Sequence, residues 1–119
     1  MLIVLASSSI YRKSLLQRLG LPFETAVPNV DETPLLNESP AALAARLSLE
    51  KARAVAAFYP NALVIGSDQV AVLDGRVLCK PGSSKQAEKQ LAAASGRSVQ
   101  FITGLCLYRE EDQHYQLDT

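Results

Sequence analysis

Residues 62–75 read ALVIGSDQVAVLDG and form the longest β-rich apolar run in the chain. The run has too few polar positions for a strand that is half exposed to water, so it predicts a central strand covered on both faces. Its last two residues, Asp74 and Gly75, are typical of a hairpin turn. We therefore expect residues 76–78 to return beside the strand, and we expect the sheet to be built around this hairpin.

Asp68 lies inside the apolar run and has two interpretations. A carboxylate in the middle of a buried strand is costly unless it is paired, hydrogen-bonded or bound to a cation. In the structural interpretation, Asp68 caps a neighbouring loop through hydrogen bonds. In the functional interpretation, Asp68 faces a cleft and takes part in chemistry. The strand alone does not decide between them.

Composition limits the classes of function that fit. The chain has 119 residues, enough for one domain with a core. Twelve basic residues balance twelve acidic ones, which gives no support for nucleic-acid or anionic-membrane partners. Cys79, Cys106 and a single histidine argue against a disulfide framework or a zinc site. The N-terminal apolar run is short and lacks a basic region, and no run is long enough to span a membrane, so we expect a cytoplasmic protein.

The other elements follow from hydrophobic periodicity and capping residues. A serine followed by a proline is typical of a helix start, and glycine of a helix end. In chain order we predict a strand over 2–6, a helix from the serines to Gly20, a strand over 23–27, a helix from Ser39 to about Tyr59, the hairpin, a helix over 84–95, a strand over 99–108 and a strand from His114.

Three serines, Ser7, Ser8 and Ser9, precede the predicted first helix, and Arg12 and Lys13 lie in its first turn. Free N–H groups and hydroxyls at the positive end of a helix dipole attract anions. The two cations oppose the dipole, so a nearby phosphate would relieve them. The alternative is an ordinary serine N-cap with two solvated cations.

Charged residues elsewhere have similar alternatives. Lys51 falls on the apolar stripe of the predicted second helix, where its amine either extends to solvent or reaches a buried anion. Glu32 lies in an acidic loop that is either solvated or holds a divalent cation. Lys80 lies just past the hairpin, before a turn, and Arg46 lies off the stripe and is predicted to be at the surface. The stripe comprises Leu43, Leu47, Val55 and Phe58.

Together these motifs predict one site for a nucleoside polyphosphate, because cations bind phosphates and carboxylates hold a metal or activate a water. The chain also resembles the Maf family of nucleoside triphosphate pyrophosphatases, in five segments that occur in the family's order: LASSSIYRKSLLQRLG, VDETP, SLEKA, IGSDQV and CKPG. The resemblance implies an α/β fold, with an elongated mixed sheet flanked by helices, like that of the inosine-triphosphate pyrophosphatases. Residues 1–119 would be the N-terminal, nucleotide-phosphate-binding portion of a single domain.

The resemblance also implies an activity and roles for residues. The activity is hydrolysis of a nucleoside triphosphate between the α- and β-phosphates, with a divalent cation, magnesium or manganese. Asp68 would be the proton acceptor and would bind the metal together with Glu32. Lys13 stands where the family has an arginine, and a lysine lacks the bidentate phosphate contact of an arginine. The implied phosphate-binding set is Ser7, Ser8, Ser9, Arg12, Lys13, Lys51 and Lys80.

Two positions place the chain near one branch of the family. Gln69 and the aromatic Tyr11 are similar to the branch that acts on 7-methyl-GTP. A methylated guanine carries a positive charge, which an aromatic face attracts, and a glutamine offers a donor and an acceptor to a base edge. The alternatives are a dTTP/UTP pyrophosphatase of the same family, or a nucleotide-binding regulator of septum formation without turnover.

Family members continue beyond the length of this chain, which stops at Thr119 within the predicted last strand. We expect that the chain is truncated. An uncovered strand is open to pairing with another chain, so we expect exposed apolar surface and a homodimer. We also expect weak or absent catalysis, because the cleft would lack one wall.

Overall fold

The computed structural model describes residues 2–78, 85, 88–90, 92, 96 and 98–119. Within this part, the sheet has six strands in an elongated molecule with principal extents of 46 × 31 × 22 Å. The predicted helix over 84–95 falls largely outside the described residues, as do Cys79 and Lys80. The elements are β1 (Leu2–Ala6), α1 (Ile10–Gln17), β2 (Glu24–Ala26), α2 (Pro40–Ala56), β3 (Ala62–Leu73), β4 (Arg76–Leu78), β5 (Val99–Arg109) and β6 (His114–Asp118).

The sheet is mixed and has β3 at its centre. Its order is β2-β1-β3-β5-β6, with β1 parallel to β2 and β3, and with antiparallel pairing from β3 to β5 and from β5 to β6. The edge of β3 opposite β5 is shared: β1 pairs with residues up to Gly66, and β4 pairs from Ala71 onward. Among the described strands, none pairs with residues 67–70 along that edge. This gap contains Asp68.

The predicted hairpin is confirmed. Asp74 and Gly75 connect β3 to β4 with φ values of 51° and 78°, and a two-residue hairpin turn of this kind needs positive φ at both positions. The prediction that β3 is covered on both faces was wrong for one face. Gln69 is exposed there and Ile65 is half-buried. The reason is that α1, the helix on that side, has no buried residue and covers the sheet only loosely.

Helix α2 covers the other face. Ser39 is its N-cap, with its side chain accepting a hydrogen bond from the Ala42 N–H at 3.1 Å, and Pro40 is its first residue, as predicted. The helix ends at Ala56, earlier than the periodicity indicated. Phe58 therefore lies in the following turn and is 82% exposed instead of packing on the apolar stripe.

Two glycines allow α2 to approach the sheet closely. A methyl group on Gly66 would overlap the backbone of Ser48 and Ala52, and one on Gly104 would overlap the backbone of Ala44. These small helix residues recur every four positions and face the two glycines. The contact divides the core under α2 into two apolar clusters. One contains Val4, Ala6, Val55, Val64, Cys106 and Tyr108, and the other contains Leu43, Leu47, Val70 and Val72.

Helix α1 begins after the serines, as predicted, but it ends at Gln17, earlier than the predicted end at Gly20, and it packs weakly. Ser9 is its N-cap, and Gly20 follows it with a φ of 73°. Its leucines face Leu5, Ile65 and Leu105 across an open groove of about 370 Å³. Strand β6 lies at the sheet edge, and every residue in it is exposed. The described chain thus leaves apolar surface open along α1 and at the β6 edge.

Gly66→Ala tests the close helix–sheet contact. We expect the free energy of unfolding to fall by about 1–3 kcal/mol or more, because the added methyl meets backbone atoms that cannot rotate away. Urea unfolding measures the change. Gln100→Ala, at an exposed position of β5, is the control and should change stability by no more than about 0.5 kcal/mol. Equal stability of the two variants would contradict the contact.

Candidate active site

The Lys51 side chain joins two carboxylates. Its Nζ donates a hydrogen bond to Asp68 Oδ1 at 2.8 Å and forms an ion pair with Glu32 Oε1 at 2.9 Å. Lys51 and Asp68 are buried, whereas the Glu32 side chain is 39% exposed. The buried charges of α2 and β3 thus compensate each other, and Glu32 faces the solvent side of the same cluster.

The cluster lies at an interruption of the core. Lys51 follows Leu47 by one turn of α2 and precedes Val55, which belongs to the other apolar cluster. Asp68 lies between Gly66 and Val70 on the same face of β3. The sequence left open whether the Lys51 amine reaches solvent or a buried anion, and the contact with Asp68 confirms the second alternative. Asp68 forms an ion pair with Lys51 and lines a cleft, so it does not cap a neighbouring loop.

The serine loop forms a polar pocket beside this cluster. Ser7 Oγ accepts a hydrogen bond from the Ser9 N–H at 3.0 Å, and Ser9 Oγ accepts one from the Arg12 N–H at 3.3 Å. Capping therefore accounts for Ser9, but the pocket extends beyond the cap. It has a volume of about 150 Å³ and brings the loop together with Lys51 and Glu32. Its lining comprises Ser7, Ser8, Ser9, Arg12, Pro28, Val30, Glu32 and Lys51.

A second pocket adjoins the cluster from the other side. Its volume is about 190 Å³, its walls are mostly apolar, and it shares Glu32 with the serine pocket. Asp68 and Gln69 contribute its polar groups. The cleft is thus divided into a polar part and an apolar part that meet at the carboxylates. The apolar part is lined by Pro34, Leu43, Leu47, Val70, Val77 and Leu78.

Three predicted site residues lie apart from the cluster or outside the described residues. Lys13 lines a separate pocket with Gln17 and Glu24, so the structure does not bring it to the serine loop. Tyr11 is 73% exposed and lines neither part of the cleft. Lys80 belongs to the residues that the structure does not describe. The roles of these residues stay predictions.

The prediction that Arg46 lies at the surface was wrong. Its side chain is 21% exposed and makes a bidentate ion pair with Glu38, with N···O distances of 2.6 and 3.0 Å. It also contacts Glu50 and the Thr33 carbonyl. The sequence does not indicate this network, because helical periodicity identifies the apolar face of a helix but not which loop packs beside it. The spacing of Arg46 and Glu50 by four residues was the available signal.

The donor atoms set a limit on any metal site. The described residues contain no group of three or more histidine, cysteine or acidic side chains that would hold a metal by itself. Glu32 and Asp68, both on the Lys51 amine, are two oxygen donors. Magnesium commonly binds through one or two carboxylates together with substrate phosphates. The pair fits a cation that binds with a polyphosphate.

Two further findings concern the Cys106 thiol and the helices. Burial raises the pKa of the Cys106 thiol to about 11, so this side chain is a protonated residue of the core. Neither α1 nor α2 combines the length and the apolar character that a membrane-crossing helix needs.

Two relatives of the chain carry the same name. It is 62% identical over 105 residues to a 7-methyl-GTP pyrophosphatase of Nitrosococcus oceani, a match that covers 88% of this chain and 53% of the relative. It is 55% identical over 109 residues to the Colwellia psychrerythraea protein of that name, covering 92% of this chain and 54% of the relative. The chain thus spans about half the length of these curated relatives.

Solved structures support the fold. A nucleoside-triphosphatase, or dITP/XTP pyrophosphatase, of Mycobacterium abscessus matches with a TM-score of 0.59 and 18% identity, over 99% of this chain and 70% of that chain. A HAM1 protein of Coxiella burnetii matches with a TM-score of 0.62 and 18% identity, over 98% of this chain and 68% of that chain. At this identity the likeness concerns the fold alone, and it confirms the predicted α/β architecture.

The sequence family connects the fold to the site. The family model described as Maf-like protein matches residues 2–119. This match includes β1 with its serine loop, the loop that carries Glu32, and the paired Lys51 and Asp68. Because this one family model matches the residues of the sheet together with Glu32, Lys51 and Asp68, the chain belongs to the Maf-like protein family.

Proposed function

We propose that the chain is the nucleotide-binding part of a nucleoside triphosphate pyrophosphatase that converts 7-methyl-GTP to its monophosphate and pyrophosphate. The observation that carries the proposal is the Lys51 amine, held between Glu32 and Asp68 where the polar and apolar parts of the cleft meet. The names of the relatives support the substrate. We also propose the cytoplasm as the compartment, since the free thiol of Cys106 fits a reducing environment.

The polar part of the cleft suits the triphosphate. In this proposal the serine loop offers N–H and hydroxyl donors at the start of α1, and Arg12 adds a charge-assisted contact. The Lys51 ammonium is a compact charge that reaches the phosphates without leaving the carboxylates. These contacts align the phosphate chain so that its α–β linkage lies near Asp68.

Asp68 then acts as general base. It takes a proton from the attacking water as the water oxygen bonds to phosphorus, and the bond from that phosphorus to the bridging oxygen breaks. The leaving phosphate oxygen carries away the electron pair. The ion pair with Lys51 keeps the Asp68 side chain in place for this step. Positioning and electrostatic stabilisation supply most of the catalysis in such a transfer.

A divalent cation, magnesium or manganese, is part of the proposal. Glu32 and Asp68 would hold it together with phosphate oxygens, and it would neutralise charge that develops on those oxygens. The two carboxylates lie on a common amine, which supports their use as a shared ligand pair.

The base is proposed to occupy the apolar part of the cleft. Gln69 lines this part, and among the described residues its amide donates one long hydrogen bond, to Thr103, 3.4 Å from Nε2 to Oγ1, so the amide can turn to a base edge. Tyr11 is exposed on α1 and lines neither part of the cleft, so its proposed stacking on the charged, methylated ring requires the loosely packed α1 to move toward the bound base.

A homodimer is the proposed assembly. Strand β6 has a neighbour on one side only among the described strands, and both Tyr115 and Leu117 in it are 41% exposed. An apolar edge strand offers unpaired backbone groups to a second copy.

Asp68→Asn tests the general base, because it keeps the shape of the side chain and removes its proton acceptor. We expect pyrophosphate release to fall by about 10²- to 10⁴-fold, while triphosphate binding persists. Release is measured with magnesium, both on this chain and on a version extended to the length of the relatives. Asp112→Asn, in the exposed turn before β6, is the matched control and should act like wild type. A fully active Asp68→Asn enzyme would refute the role, and wild-type binding without turnover would favour a regulator.

A panel of triphosphates tests the base preference. We expect the highest kcat/KM with 7-methyl-GTP, ahead of GTP, UTP and dTTP. Tyr11→Ala should lower the value for 7-methyl-GTP by roughly tenfold, within the range for one base stacked on an aromatic ring, and should leave the poor substrates unchanged. Phe58→Ala removes an equally exposed aromatic ring from the turn after α2 and serves as control. Faster turnover of UTP or dTTP would overturn the proposed substrate but not the reaction.

Sedimentation velocity tests the homodimer. We expect the chain to sediment as a dimer at micromolar concentration, and Leu117→Lys to shift it to monomer, because a charge on an edge strand opposes pairing. Val27→Lys places the same charge on an exposed apolar residue directly after β2, the strand at the opposite edge of the sheet, and should leave the dimer intact. A monomeric wild-type chain would exclude the proposed assembly.

A further inference from the structure

The loop that carries Glu32 has no helix or strand of its own. It spans residues 27–39, between β2 and α2. Glu32 nevertheless reaches the Lys51 amine to 2.9 Å. A loop of this length needs contacts outside itself to hold one side chain in place.

Arg46 of α2 supplies those contacts. Its Nε and Nη2 donate to the two oxygens of Glu38, at 2.6 and 3.0 Å, and Nη2 also donates to the Thr33 carbonyl at 3.1 Å. Glu38 Oε1 in turn accepts a hydrogen bond from the Leu35 N–H at 3.1 Å. One guanidinium therefore fixes the loop at the residue after Glu32 and again near the start of α2.

A turn inside the loop transmits this restraint to Glu32. Asp31 Oδ1 accepts hydrogen bonds from the Thr33 N–H at 3.0 Å and from the Thr33 hydroxyl at 2.6 Å. Glu32 is the residue between these partners. With the Thr33 carbonyl held by Arg46, the backbone on both sides of Glu32 is restrained.

The environment of Arg46 differs from that of a surface ion pair. The Glu38 side chain is 8% exposed and that of Arg46 is 21% exposed, whereas the two partners in the Arg109–Asp112 pair are 40% and 49% exposed. The hydrogen-bonded Arg46 guanidinium holds the pKa of Glu38 below its ordinary value, so the carboxylate is ionised at neutral pH. Bidentate pairs of this kind are directional as well as strong.

We propose that Arg46 is a positioning residue: acting through Glu38 and Thr33, it holds Glu32 at the Lys51–Asp68 pair. For its effect on nucleotide the inference rests on the function proposed above, but the restraint on the loop is independent of that function. Arg46 itself lines neither part of the cleft. Removing it should therefore act only by way of Glu32.

Arg46→Gln and Arg46→Lys test the restraint directly. Arg109→Gln is the matched control, because Arg109 makes the same two-pronged contact with Asp112 far along the chain, beside β6. We expect amide hydrogen exchange of residues 31–37 to rise by about tenfold in Arg46→Gln, for the loss of charge-assisted hydrogen bonds. The exchange rate in Arg46→Lys should lie between those of the wild type and Arg46→Gln, since lysine keeps the positive charge but lacks the bidentate hydrogen bonds of a guanidinium. Exchange no faster than in Arg109→Gln would overturn the proposal.

A double-variant cycle tests the route through Glu32. The dissociation constant of 7-methyl-GTP with magnesium is measured for Arg46→Gln, Glu32→Gln and the double variant, with urea midpoints as a check on folding. We expect each single change to weaken binding by about tenfold and the double change to add nothing to Glu32→Gln. Additive losses would overturn the positioning role. Absence of wild-type binding would refute the proposed function, and hydrogen exchange would then decide the restraint alone.

Discussion

The structure depends on the close approach of α2 to the sheet over Gly66 and Gly104. Lys51 and Asp68 come from different elements and are hydrogen-bonded at 2.8 Å because no side chain at Gly66 keeps the helix away from β3. A buried ion pair is weak evidence for stability, since desolvation offsets much of its attraction. The Lys51–Asp68 pair interrupts an otherwise apolar interface, and its place between two apolar clusters is easier to explain by chemistry at the cleft than by stability.

The second constraint is the divided edge of β3. Because β1 pairs with its first half and β4 with its last residues, the segment at 67–70 borders a cleft instead of another strand. Strand β1 runs parallel to β3 and ends at Ala6, so its serine loop emerges beside this segment. Ligands commonly bind at the carboxyl ends of parallel strands, where the sheet order changes direction. The serine loop and Asp68 are therefore neighbours through topology, although about sixty residues separate them in sequence.

Local sequence was sufficient for much of this arrangement. The Asp74-Gly75 turn, the serine N-caps and the position of Lys51 on the α2 stripe each depend on residues a few positions apart, and each was confirmed. Contacts between distant elements were not accessible in the same way. Nothing near Arg46 in sequence indicates that the 27–39 loop packs beside it, and the apolar run of β3 does not reveal how loosely α1 covers its second face.

The net charge of the side chains that line the cleft gives a reason for including a cation in the proposed reaction. Among the described residues that line its two parts, Arg12 and Lys51 carry positive charge and Glu32 and Asp68 carry negative charge. Their sum is zero, whereas a triphosphate is a polyanion. The Lys51 amine is already shared by two carboxylates, so it cannot give its whole charge to phosphate. A divalent cation that arrives with the nucleotide would make the net charge of the cleft positive. Glu32 and Asp68, which otherwise compete with phosphate for the Lys51 amine, would then bind the cation that accompanies the phosphates. The shared amine would thus allow two acidic side chains to remain at the proposed phosphate site without repelling the proposed substrate.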